Sequence, residues 1–270
     1  MRLHSLALML TAACSSPEMP TELEPCGPNG TCPETFECEA SANRCYLIGS
    51  VTGAFLWFKM NDPGSATALR DSSSYGMDGA VTGAVTLADG KATFGPGASA
   101  ATQPLEASYR DKPISVSGWA TPRERSDRSL NQHSITPFPP NAVSNDIPGR
   151  FGYGFGINVW TDAGGGSELI VGGAYTAKVS ALTFVAGRRY HVVVAYSEAA
   201  TKVYLDGSLV ATLPAYPLSA GSAPVYVGRH NDDAAYGSKR FFVGDLDDVR
   251  VYQRLLTDAD AAALYAAGPE

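Results

Sequence analysis

The sequence predicts an all-β protein, two antiparallel sheets packed as a sandwich with one short C-terminal helix, preceded by a small disulfide-rich segment. Three observations lead there. Only 17% of the 270 residues are charged, while glycine and proline number 28 and 18, so turns are frequent and the charged faces of surface helices are scarce. From about residue 50 onward, short runs that alternate or are continuously apolar succeed one another between turn signals. Four of the five cysteines crowd into residues 26–45, where no core of their own is available and cross-links replace it.

Taken in order, "MRLHSLALMLTAAC" opens with Arg2, an apolar run to Leu10 and small residues before Cys14, which is the pattern of an export signal over residues 1–13 and is too short for a permanent span. Thr11-Ala12-Ala13-Cys14 resembles the lipobox of bacterial lipoproteins, with Thr11 where leucine is usual. The resemblance implies a lipid on Cys14, a chain exported to the outer membrane or cell surface, and contact with the membrane through that anchor. The other reading is simple cleavage with Cys14 incidental. Residues 14–25, polar and proline-containing, read as a tether. With Cys14 set aside, Cys26, Cys32, Cys38 and Cys45 are even in number and form a disulfide segment over residues 26–48, with three pairings open. Zinc is the rival, but the spacings lack close C-x₂₋₄-C pairs.

Residues 50–268 read as one β domain. "AFLWFKM" (54–60), "ISVSGWA" (114–120) and "VVVAYS" (192–197) are buried strands; "GYGFGINVW" (152–160) alternates, with Phe155, Ile157 and Val159 on one face and Asn158 and Trp160 on the other. "KVYLDGSLVATL" (202–213) is a hairpin turning at Asp206-Gly207. "PVYVGR" (224–229) and "FFVGDLDDVRVY" (241–252) are late strands, and 121–150 is a long irregular loop around one short strand. In "TDADAAALYAAG", Thr257 caps a helix, Asp260 answers it, and Gly268 ends it.

The ordered set "LWFKMNDPGSATALRDSSSYGMDGAV", "ISVSGWATP", "GYGFGI", "RRYHVVVAYSEAATKVYLDGSLVAT", "VYVGR" and "GDLDDVRVYQRLLTDADAAALY" resembles the laminin-G-like or concanavalin-A-like jelly-roll domains of bacterial surface proteins. The resemblance implies two curved sheets, first and last strands side by side, and binding or adhesion as the usual work. The longer 121–150 loop and the "DSSSYGMDG" loop depart from the family pattern.

The functional expectation is non-catalytic recognition of a glycan or surface protein. The alternatives are a glycan-active enzyme with a site formed by the 121–150 loop, and a structural envelope component. A net charge of −7 without basic clusters excludes nucleic acid as a partner. No H-E-x-x-H, G-x-S-x-G or phosphate loop is present, nor the E-x-D-x-E strand of laminarinase-type enzymes on a related fold. His133, His191 and His230 are scattered, and His191 fits a strand-edge hydrogen bond.

Two sites stand out. Strict alternation through "GDLDDVRVY" puts Asp247 in phase with Val249 and Val251, and Asp248 with Arg250 and Tyr252. A carboxylate in phase with the core needs a cation or several donors. One solution is Ca²⁺ held by Asp71, Asp78 and Asp247; the other is satisfaction by backbone N–H groups. Asp232 and Asp233 are a rival acidic pair. Trp160 with Asn158, on the glycine face of its strand, makes a strip on which a sugar ring stacks, or else packs into the core edge.

Overall fold

The computed structural model describes residues 25–32, 36–39, 44–47, 53–62, 64–73, 75–104, 113–125, 135–137, 154–161, 165–171, 177–179, 182–197, 199–215, 224–229 and 241–270. Residues 1–13, read above as an export signal, Cys14, most of the 121–150 loop, His133, His230, Asp232 and Asp233 lie outside them. The chain divides into two compact units, Met1–Tyr46 and Leu47–Glu270.

In the first unit, β1 (Phe36–Glu39) pairs with β2 (Arg44–Leu47) after a single 3-10 turn at Pro28–Gly30. Cys32 and Cys45 are joined with Cα atoms 5.6 Å apart, and Cys26 is disulfide-bonded too. The side chain of Cys38 lies outside the described residues. The sulfurs of Cys26, Cys32 and Cys45 fall within 4.8 Å of one another, but they are oxidised, and metal binding needs thiolates.

The second unit is a sandwich. Its strands run β3 (Ala54–Phe58), β4 (Gly64–Ser65), β5 (Ala68–Leu69), β6 (Gly79–Thr82), β7 (Val85–Ala88), β8 (Lys91–Phe94), β9 (Ser99–Ala101) and β10 (Ile114–Pro122). They continue through β11 (Glu124–Arg125), β12 (Ile135–Pro137), β13 (Phe155–Trp160), β14 (Ser167–Val171), β15 (Ala177–Val179) and β16 (Tyr190–Tyr196). The set closes with β17 (Ala200–Leu205), β18 (Ser208–Pro214), β19 (Val225–Val227) and β20 (Gly244–Tyr252). One sheet has the order β18-β17-β16-β10-β20-β8-β7-β4, and the other β15-β14-β13-β12-β19-β9-β6-β5. Among the described residues the pairs of this unit are antiparallel except the short parallel contact of β11 with β13.

In the first sheet β20 runs through the middle. One edge pairs with β10 along its length; the other is shared, β8 taking Gly244–Leu246 and β3 taking Val249–Tyr252. The first and last strands of the domain are therefore neighbours. The core lies between the sheets: Leu56, Phe58, Phe94, Val116, Val192, Val194, Val249 and Val251 from one, Phe155, Ile157, Leu169, Val171 and Val227 from the other. Gly228 adopts φ 81° where an added Cβ would sit 2.5 Å from the Phe94 ring, so only glycine lets the sheets close there.

The Asp206-Gly207 turn joins β17 to β18 with φ of 48° and 78°, the two left-handed positions of a type I′ hairpin. The helix spans Asp258–Ala267, with a reciprocal capping box between Thr257 and Asp260 and Gly268 as its C-cap. It covers part of the outer face of the first sheet, where Ala261 and Leu264 pack on Val193, Ala195, Tyr204 and Tyr252.

Candidate functional site

The outer face of the first sheet carries a groove of about 350 Å³ lined by Lys91, Trp119, Thr121, Arg123, Gly187, Arg189, Asp245 and Asp247. Pleating supplies its members. Along β10, Ile114, Val116 and Ala120 enter the core, so Ser115, Ser117, Trp119 and Thr121 point outward. Leu246 is a core residue, which turns Asp245 and Asp247 to the same outer face as Trp119 and Thr121. Lys91 and Thr93 flank the inward Ala92 on β8.

This corrects the phase expected for β20. Ser117 pairs with Arg250 and Trp119 with Asp247, so Gly118 alone opposes both Asp248 and Val249. The extra residue is a β-bulge, with Asp248 at φ 49°. It moves Asp247 out of phase with Val249 and Val251 and places it beside Trp119.

Each of the three aspartates has its own cation. Asp245 accepts from Lys91 Nζ at 2.9 Å and Thr93 Oγ1 at 2.7 Å, with Arg123 Nη2 at 3.4 Å. Burial works to raise its pKa, but these donors and charges outweigh it and hold Asp245 below the usual carboxylate range. Asp247 pairs with Arg189. Burial nonetheless pushes its carboxyl up to about 6, against the pull of Arg189 and with help from the charge of Asp248. Asp248 is gripped at both oxygens by Arg250, Nε at 2.9 Å and Nη2 at 3.0 Å, and takes the indole N–H of Trp57 at 2.6 Å. Trp57 also lies over the Arg250 guanidinium at 4.3 Å.

Trp119 is enclosed by Arg189 at 5.1 Å from its ring, by His191 at 4.9 Å and by Tyr265 of the helix, stacked at 5.6 Å. Burial, then the charge of Arg250, lowers the His191 pKa to about 3, so the ring is neutral at physiological pH. It lies 3.3 Å from Ser117 Oγ. Among the described residues, the buried Trp119 Nε1 and Asp247 Oδ1 have no hydrogen-bond partner, a donor and an acceptor at paired positions of β10 and β20.

The three residues proposed for calcium do not converge on a common centre. Asp71 accepts four bonds, from the backbone N–H of Trp57, Ser73 and Met77 and from the Ser73 hydroxyl, at 2.7–2.9 Å. Asp78 accepts from the Asp71 backbone N–H and pairs with Arg70. Donors, not lone pairs, surround both carboxylates, which organise the "DSSSYGMDG" loop against β3. Among the described residues no three carboxylates bring an oxygen each within 4.8 Å of one another. Trp160 and Asn158 are 8% and 1% exposed, so the packing reading describes them; Asn158 Nδ2 lies 3.4 Å from Glu168 Oε1 on the neighbouring strand.

Trp119 escaped the sequence reading because "ISVSGWA" looks like a continuous buried run. Its signal was the phase: a tryptophan aligned with Ser115, Ser117 and Thr121 on the polar side.

Comparison with known proteins agrees with the architecture. Domain 4 of an extracellular arabinanase from Geobacillus stearothermophilus, solved with arabinotriose, superposes with a TM-score of 0.55 at 17% identity, covering 78% of this chain and 97% of that domain. A Trypanosoma rangeli sialidase in complex with sialic acid gives 0.60 at 14%, covering 83% of this chain and 34% of the enzyme. The binding domain of botulinum neurotoxin serotype D gives 0.53 at 16%, covering 82% and 53%. At these identities the likeness is one of fold. No curated protein matches the sequence. The sequence pattern of the concanavalin A-like lectin/glucanases superfamily matches residues 94–262, and the chain belongs to that superfamily as a laminin-G-like sandwich.

Proposed function

We propose that this is a non-catalytic binding and adhesion protein, held at the bacterial surface by a lipid on Cys14, that recognises a glycan through the groove around Trp119. The observation that carries the reading is the groove itself: an aromatic side chain flanked by charged hydrogen-bonding groups on the outer face of the first sheet, the mix of an aromatic platform and convergent polar groups that a saccharide requires. Fold neighbours solved with arabinotriose and sialic acid support a glycan over a protein ligand.

A glycan array probed with the full chain tests this. Binding that is lost in Trp119→Ala, with the circular dichroism spectrum retained, is the expected result; an array with no signal leaves the structural-component reading in its place.

One observation favours a second reading. Asp245 and Asp247 share a face two residues apart, one held ionised and the other raised to about 6, which is the division of labour an acid and a base need. Both carboxylates are engaged by cations, which argues for binding. Release of reducing ends from any bound polysaccharide, abolished in Asp247→Asn, would establish the enzyme instead.

A further inference from the structure

We infer that the groove takes an anionic glycan, one carrying carboxylate or sulfate groups, and that Lys91, Arg123 and Arg189 are the side chains that meet it. This rests on the glycan-binding reading above and narrows its ligand.

The chain as a whole carries −7, yet the groove lining holds three cations and two carboxylates. The two signs are layered. The side chains of Asp245 and Asp247 are 12% and 7% exposed, whereas those of Lys91, Arg123 and Arg189 are 40%, 56% and 40% exposed. The carboxylates lie beneath and the cations face solvent, so an approaching ligand meets positive charge first.

The layering also fixes the cations in place. Lys91 and Arg123 both lean on Asp245, and Arg189 on Asp247, which reduces the side-chain entropy lost when a ligand is bound. Spare capacity remains: an ammonium has three donors and a guanidinium five, in a planar fork that fits a carboxylate or sulfate at two points. Tyr265, 41% exposed and stacked on Trp119 at 5.6 Å, offers a ring for the apolar face of a sugar at the rim. A neutral glycan would leave the three cations with only the two buried carboxylates beneath them.

The test is affinity electrophoresis of the full chain in polygalacturonate, its methyl ester, chondroitin sulfate and dextran, repeated at rising salt. The expected result is retardation by polygalacturonate, by chondroitin sulfate, or by both. Their ranking tells a carboxylate ligand from a sulfated one. The ester and dextran bind at least about tenfold more weakly, and the retardation fades as salt rises, because half-exposed charges are screened. Arg123→Glu reduces affinity by roughly tenfold, as reversing a charge at a binding rim does, while Lys202→Ala, away from the groove, changes nothing. The salt series on the unaltered chain gives an answer even if a variant folds poorly. Equal binding of acid and ester, insensitivity to Arg123→Glu, or equal retardation by duplex DNA overturns the inference. Neutral glycans bound in preference to anionic ones overturn it while leaving the proposed function standing; failure of every glycan removes both.

Discussion

The two halves of β20 treat the same residue type in opposite ways. Asp248 meets Arg250, whose side chain is 1% exposed under Trp57; Asp245 and Asp247 meet three cations that solvent reaches. The first arrangement is sealed and the second is open. What decides between them is the partner's exposure, since all three aspartates are buried. A sealed pair holds β3 to β20, whereas an open one is available for a ligand to join.

The sharpest way to break the comparison is to remove one charge from the sealed pair. Asp248→Asn, which keeps a residue comfortable at positive φ, leaves the buried Arg250 with only the half-exposed Glu270 at 3.4 Å as counter-charge, and thermal or urea unfolding is expected to show a loss of about 3 kcal/mol. Adding Arg250→Gln to it recovers much of that loss. A single variant within experimental error of the parent would mean that the pair is not sealed.

Next comes pH. The Asp247 carboxyl, at about 6 in the folded chain against 3.8 in the unfolded one, keeps a proton between those values that the unfolded chain has lost. Its contribution to stability therefore falls as pH rises through that window. His191 acts the other way: with a folded pKa of about 3 against 6.5, its contribution is complete above 6.5 and is lost as pH falls toward 3. The two slopes oppose each other in the parent. Asp247→Asn removes one, so Tm declines more steeply from pH 6 to pH 4 than in the parent, and His191→Gln makes the decline shallower. Superimposable Tm profiles for parent and variants would contradict the assignment.

At the open site the effect on stability is small. Arg123→Ala, at 56% exposure and 3.4 Å from Asp245, is expected to cost at most about 0.5 kcal/mol in urea unfolding, although the same position matters for the ligand. Smallest of all is the response to calcium. With Asp71 and Asp78 engaged by donors and Asp247 paired with Arg189, the melting temperature is expected to be the same in excess Ca²⁺ and in excess chelator; a shift of several degrees would bring the ion back.

Much of the architecture was legible because local chemistry set it. Asp206-Gly207 supplied both left-handed positions of its turn, Thr257 and Asp260 capped the helix reciprocally, and the alternation of Phe155, Ile157 and Val159 named a core face. The candidate site was less legible for one physical reason. Period-two reading assumes an uninterrupted ladder, and the bulge opposite Gly118 adds a residue that only pairing with β10 reveals. Asp248 at positive φ is compatible with the sequence, but so is ordinary extended backbone. Asp71 was named as a candidate calcium ligand; that three backbone amides and a hydroxyl donate to it depends on how the loop folds back on β3, a tertiary fact.

The added residue at Asp248 lets one ribbon serve two sides at once. Upstream of it odd-numbered positions look to solvent, and downstream they look inward, so Leu246, Val249 and Val251 all reach the interior while Asp247 stays outside. Shortening the ribbon by that one residue would restore plain alternation, keep both the oily interior and the charged hollow, and remove the clasp on Trp57 and Arg250 alone.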